Sequence, residues 1–207
     1  DVGQQGRTLY RIDLSLDEPV EPVIPNFTQV TDLSELTDDG TYLIVTDRSA
    51  TQCYATGPKS MTFFMPVALD LTEEGILCTD EVMKHTWKIG KHEATGMIAL
   101  EQEIGQYVGA PGAILSSDYG KFWFDPEIGD DESSILTYYW EIAVDEQSAT
   151  VQTRRMEDCR FMYKSSVQYF CPCTSQTSGA QPIRIFKLRE YRAGFPFRTV
   201  RNPAFPT

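Results

Sequence analysis

The chain has 207 residues, 41% of them apolar and 23% charged, and it carries a net charge of −12. That is enough chain for one sizeable core or two small ones, and its acidity argues against a nucleic-acid partner, since phosphate binding needs a dense basic surface. The apolar stretches, such as "FFMPVAL" and "YLIV", fall well short of the ~18 residues of a membrane helix, so no transmembrane segment is expected.

In chain order, "TLYRIDLSL" alternates at period two through Ile12, Leu14 and Leu16 and predicts a strand. "DEPVEPVIP" follows, too rich in proline to donate a full hydrogen-bond ladder, and reads as an extended linker. The triplet at Asn26, "NFT", fits the glycosylation pattern. "TDLSEL" and "TDDG" predict a short helical turn closed by an Asp-Gly turn, and "TYLIV" a buried strand. "DLTEEGILCTDEVMKH" has room for one or two helical turns, interrupted by Gly75. "DPEIGDDES" reads as a solvated acidic loop: its oxygens suit calcium, but the spacing does not match an EF-hand. The chain opens at Asp1 with no signal-like apolar region, so a processed product is expected, any address or lipid anchor having left with what preceded it.

Aromatic strands recur at one period. Trp87 and Trp140 are 53 residues apart, as are Tyr54 and Tyr107, and Phe161 lies 54 beyond Tyr107. The strand openings "TYLIV", "TWKIG" and "YWEIAV" divide the chain into units of about 42–86, 87–138 and 139–188. The expected fold is all-β, a β-trefoil-like barrel of three ~50-residue units over residues 31–188, with Tyr54, Tyr107 and Phe161 in its core. A β-sandwich is the alternative. Residues 1–30 form an N-terminal strand and linker on this reading, and residues 189–207 an aromatic, basic tail.

The pieces "LTDDGTYLIV", "TWKI", "GQYVG" before "AILSSD", "YWEI", "CRFMYKSSVQYFCPC" and "QPIRIFKL" resemble a repeat module of secreted surface proteins of Gram-negative gut-type bacteria. The resemblance covers residues 31–188. It implies an extracellular or cell-surface location and a non-catalytic module accompanying enzymes and adhesins. The threefold plan is similar to that of ricin-type trefoils, but the Gln-x-Trp sugar signature is missing, so no lectin site carries over. The resemblance also implies that residues 160–162 and 169–171 form the last hairpin, with Pro172 ending its second strand.

The most chemical-looking stretch is "YFCPC". Cys171 and Cys173 share a face if the segment is extended. Zinc pairs are usually Cys-x₂₋₄-Cys with a second pair to match, which is missing, and a direct bridge strains disulfide geometry. Free buried thiols, one longer-range disulfide and a metal are the three readings, in that order, and no cofactor or metal is expected. "HEATG" at His92 begins like a zincin motif but has Gly96 where the second histidine belongs. No nucleophile elbow or phosphate loop occurs.

The expected function is therefore a non-catalytic secreted or cell-surface binding module whose first ligand class is carbohydrate. A structural or adhesin component of a surface assembly, binding a surface protein, is the alternative, and a hydrolase stands behind both. In "KFWFDP", Phe122 and Phe124 take one face and Trp123 the other. An outward Trp123, with Tyr119, Asp118 and Asp125 nearby, is the expected glycan site. The competing expectation buries Trp123 under the acidic loop or under the tail that carries Tyr191, Phe195, Phe197 and Phe205.

Overall fold

Alternating apolar residues and β-branched or aromatic runs favour strands, and fifteen form among the described residues. The structure, a computed structural model, describes residues 25–102, 105–110 and 120–189. The expected strand at "TLYRIDLSL", most of the linker and the tail beyond Arg189 lie outside them. The strands are β1 (Asn26–Gln29), β2 (Tyr42–Ser49), β3 (Gln52–Ser60), β4 (Phe63–Asp70), β5 (Ile76–Leu77), β6 (Trp87–Lys91), β7 (Ile98–Gln102) and β8 (Gln106–Gly109). There follow β9 (Trp123–Asp125), β10 (Tyr139–Val144), β11 (Ala149–Thr153), β12 (Arg160–Lys164), β13 (Tyr169–Cys173), β14 (Ala180–Gln181) and β15 (Arg184–Leu188). Among the described residues no helix is long and apolar enough to cross a membrane.

The chain is all-β, and its strands join one large antiparallel sheet in the order β5-β1-β15-β2-β3-β4-β13-β12-β11-β10-β7-β8-β9. Strand β14 lies beside β12, and β6 pairs with both β2 and β7. The pairings from β2 through β3, β4, β13, β12, β11, β10, β7 and β6 return to β2, where Tyr42 stands opposite Trp87. Strand β1, which carries the "NFT" triplet, pairs with β15 and β5.

Strand β2 shows why "TYLIV" is apolar without interruption. Tyr42 and Ile44 enter the main core, while Leu43 and Val45 enter a second cluster with Phe27, Ile76 and Phe186 on the opposite face. The main core is aromatic: Phe64, Trp87, Phe122, Trp140, Phe161 and Phe170 are all buried in it. Both core tryptophans satisfy their indole N–H inside, Trp87 donating to Thr56 Oγ1 at 2.7 Å and Trp140 to the Val108 carbonyl at 2.8 Å. Of the three matched aromatics, Phe161 is fully in the core, Tyr54 packs against its margin, and Tyr107 belongs to a separate small cluster with Met97, Ala99 and Tyr139.

The local signals act through caps and turns. Asp32 and Glu35 close a capping box on the helical turn Leu33–Glu35, and Gly40 N–H returns to the Thr37 carbonyl at 2.9 Å to form the expected turn. One helical turn, α1 (Asp80–Met83), follows Gly75, whose φ of 110° belongs to glycine. The β3–β4 hairpin turns on Met61 and Thr62, and Met61 takes a φ of 55° while remaining 82% exposed.

Two expectations are corrected. Pro172 does not end its strand: β13 runs through it to Cys173, with Pro172 opposite Phe161. Backbone groups alternate along a strand, and Phe170, two residues earlier, directs its own toward Phe64 of β4. The nitrogen of Pro172 therefore faces away from β12, so no β12–β13 bond is lost, and its carbonyl accepts from Gly120 N–H at 2.6 Å. The acidic stretch is not loop throughout: Asp131 caps a helix, α2 (Glu132–Tyr138), accepting from Ser134 N–H at 3.1 Å.

The core geometry gives a direct contrast in stability. Phe161→Ala is expected to cost about 3–5 kcal/mol, and Trp123→Ala less than about 0.5 kcal/mol. Chemical-denaturation midpoints measure both, and equal shifts would contradict the central placement of Phe161.

Candidate functional site

Side chains alternate across a strand, and residues directly opposite on antiparallel neighbours share a face. In β9, Phe124 points inward beside buried Phe122, and Trp123 and Asp125 point out. Trp123 stands opposite Gly109, and Asp125 opposite Tyr107. The register carries that outer face on through Glu101 and Ala99 of β7 to Gly90 of β6 and Tyr139 of β10. Residues far apart in sequence thus meet on one surface, with the aromatic core on the other side of the same strands.

Trp123 is 48% exposed, so the acidic loop does not bury it; the tail that carries Tyr191, Phe195, Phe197 and Phe205 lies outside the described residues. The acidic segment covers a different part of the face: Ile128, and Ile135 of α2, pack with Tyr107 against Met97, Ala99 and Tyr139. Beside this cover lies a groove of about 460 Å³. Its floor is the cross-strand pair Gly90 and Ala99, and its walls include Tyr107, Tyr139, Pro126 and Ile128. Lys91 and Glu127 supply charge at its border. A side chain added at Gly90 would meet nothing within 4 Å, so that floor is open above its smallest residue.

Electrostatics follow from partial burial. Asp125 Oδ1 accepts from Glu127 N–H at 3.1 Å, which fixes the turn after β9. A Cβ at Gly109 would lie 2.6 Å from the Tyr138 ring, so Tyr138 rests against the backbone opposite Trp123. Burial, then the Asp125 carboxylate, raises the Tyr138 hydroxyl above its usual range. Burial, with Asp130 and Tyr107 nearby, does the same to Tyr139. Both hydroxyls stay protonated at neutral pH and can donate as well as accept. His92 lies edge-on to the Tyr139 ring at 5.0 Å and bonds Thr95 Oγ1 through Nδ1 at 2.9 Å.

Of the four expected site residues, Trp123 and Asp125 share this face, and Asp118 and Tyr119 lie outside the described residues. Sequence reasoning missed Tyr138, Tyr139 and Gly90. The alternation of "TYYWEI" placed Trp140 inside and so could have placed Tyr139 outside, but Gly90 carried no signal of its own. A larger cleft of about 780 Å³ lies elsewhere, among Thr28, Gln52, Asp70, Glu73 and Arg184. It has little exposed ring surface, because Phe186 in its lining is 2% exposed, and Arg184 is already engaged by Asp47 and Gln29.

All five cysteines are free thiols; Cys53, Cys159, Cys171 and Cys173 are buried and Cys78 half-buried. Burial pushes Cys53 up to about 11 and Cys159 up to about 12, which makes both poor nucleophiles. Among the described residues no group of three or more His, Cys, Asp or Glu could hold a metal ion. No family model matches the chain, and no curated protein matches it.

The helix that flanks the groove yields a pH test. Hydrogen bonds from Ser134 hold the Asp131 carboxyl below its ordinary value of 3.8. A depressed folded value stabilises the folded state above pH 3.8, and that contribution is lost as the pH falls through the lower folded value. Asp131→Ala should therefore lower the denaturation midpoint at pH 7, with the gap to wild type narrowing below pH 3.8; an undiminished gap in acid would rule the carboxylate out as the cap.

Proposed function

We propose that this protein is a non-catalytic, secreted or cell-surface binding module that takes carbohydrate on the outer face of β6–β10. One observation carries the reading: an exposed Trp123 shares a sheet face with Asp125, and the register leads from them to a tyrosine-walled groove. Sugars present C–H faces that pack on rings and hydroxyls that need paired donors and acceptors. Trp123 offers the ring, the tyrosine hydroxyls donate and accept, and Asp125 accepts. The groove lies within the size range of small-molecule sites.

The finer fold reading belongs to the same proposal. A trefoil-like plan of three units is supported by β2, β6 and β10, which open on Tyr42, Trp87 and Tyr139–Trp140 at the expected unit starts. It is supported also by the cyclic run of pairings. The kinship with secreted surface modules, and the extracellular location it implies, rest on the sequence pieces that resemble them.

A second reading, a structural or adhesin component that binds a surface protein, is favoured by Met61. A large apolar side chain at a hairpin tip, with a backbone conformation that suits glycine, is an unfavourable choice unless the tip touches something. Phe122 N–H donates to the carbonyl of the adjacent Thr62 at 2.9 Å, which brings this tip close to the Trp123 strand.

A glycan array followed by titration of the best ligand tests the proposal. Trp123→Ala should weaken binding roughly tenfold or more, at ~1.4 kcal/mol per decade. Gly90→Leu should fill the groove and abolish binding while leaving the circular dichroism and melting curve unchanged. Full binding by both variants would remove the site. Turnover of a glycoside or peptide that disappears with one carboxylate would defeat the non-catalytic reading, and a protein partner captured through Met61 with no glycan bound would favour the assembly reading.

A further inference from the structure

The β12–β13 hairpin separates two environments. Phe161, Tyr163 and Phe170 face the aromatic core. On the reverse face Met162, Cys171 and Cys173 pack together in a buried cluster that is two-thirds thiol and one-third thioether. Register produces this: Cys171 and Cys173 are two apart on one strand, and Met162 stands directly opposite Cys171. The two Sγ atoms are 3.4 Å apart.

That separation discriminates between bonds. A disulfide requires about 2.05 Å between sulfurs, and the Cα atoms of two positions on one extended strand stand near the outer limit for bridging. Two thiolates on one metal at about 2.3 Å stand roughly 3.8–4.0 Å apart at tetrahedral to trigonal angles. The pair opens by a few tenths of an ångström to chelate, whereas it closes by more than an ångström to bridge.

The surroundings select the ion. No third His, Cys, Asp or Glu among the described residues completes the pair, so a four-coordinate zinc site or an oxygen-lined hard-cation site is poorly served. The remaining donor is the Met162 thioether, and two thiolates with a thioether are the soft set that suits Cu(I). Lys164 lies on the same strand face, buried at 6% exposure, and its charge acts on both thiols. Two thiolates around a monovalent cation leave one negative charge, and the Lys164 ammonium lies on that face to meet it.

We propose that Met162, Cys171 and Cys173 form a buried site for a thiophilic monovalent cation of the Cu(I) class, with Lys164 as its counter-charge. On binding, each thiol gives its proton to solvent as its sulfur bonds the metal, and Met162 donates a lone pair without changing oxidation state. Both thiols are fully buried, so the ion enters as the hairpin forms or opens.

The test uses the full chain, reduced and metal-free, titrated anaerobically with Cu(I) against a chromogenic Cu(I) chelator, once folded and once during refolding from urea. The expected result is retention of one equivalent with a near-ultraviolet sulfur-to-copper absorption. Cys171→Ala and Cys173→Ala should each abolish it. Met162→Leu should weaken retention roughly tenfold with the circular dichroism unchanged, and Cys53→Ala should leave retention intact. Absence of retained copper in both protocols, or one equivalent held by the Cys171→Ala/Cys173→Ala double variant, overturns the site. Unaltered retention in Met162→Leu overturns the three-sulfur set, and retention of zinc in place of Cu(I) overturns the choice of ion.

Discussion

The ring of Phe161 is the contact on which this sheet converges. It meets Phe122 at 4.6 Å, Trp87 at 5.9 Å, Phe64 and Trp140 at 6.1 Å, and Phe170 at 6.3 Å, centroid to centroid. Those partners come from β4, β6, β10, β13 and the segment before β9. No hairpin of the chain could bury such rings alone, so each strand pair depends on the others for its apolar face. The two indole N–H groups set a further condition. A buried donor without a partner is costly, and Thr56 and the Val108 carbonyl lie within 2.8 Å of them only if β3 and β8 are also in place. Packing and polar satisfaction therefore require the same assembly.

The outer face follows from the inner one. Once Phe124, Val108, Leu100, Ile89 and Trp140 are committed to the core, alternation leaves no choice about what the other side carries. It carries Asp125, Tyr107, Ala99, Gly90 and Tyr139. A one-residue slip in β9 would exchange Phe124 for Trp123, and one in β8 would exchange Val108 for Tyr107, dismantling the groove together with the core. The shape of that groove is set by small residues rather than large ones. Gly90 and Ala99 keep its floor low, and Pro126 with Ile128 raises one wall beside the tyrosines.

Much of this was legible wherever a period spoke for it. "KFWFD" declared the inward pair and the outward Trp123, "TYLIV" declared a buried strand, and two cysteines at spacing two declared a shared face. Longer-range facts were not legible. Tyr107 matched Tyr54 and Phe161 in spacing, yet it lies outside the main core, because the parity of β8 commits Val108 inward instead. The acidic run concealed a helix, since charge count says nothing about Asp131 and Ser134 closing a cap. Pro172 broke the usual rule because the rule assumes hydrogen-bonded neighbours on both edges, and here one edge is free of β4 beyond Phe170. Gly90 had no periodic signature, and its role exists only in the assembled sheet.

That proline has a consequence for solubility. Beyond Phe170 the outer edge of β13 would present unpaired backbone groups to any extended chain that drifted near, and "QYFCPC" is apolar enough to invite it. Pro172 has no N–H to offer at that edge, and its carbonyl is already held by Gly120. A strand that reached this edge would find neither donor nor acceptor at Pro172. Pro172 is buried, with buried Gly120 bonded to its carbonyl, so this departure from the expected pattern leaves no unpaired backbone group at Pro172 where β4 leaves β13.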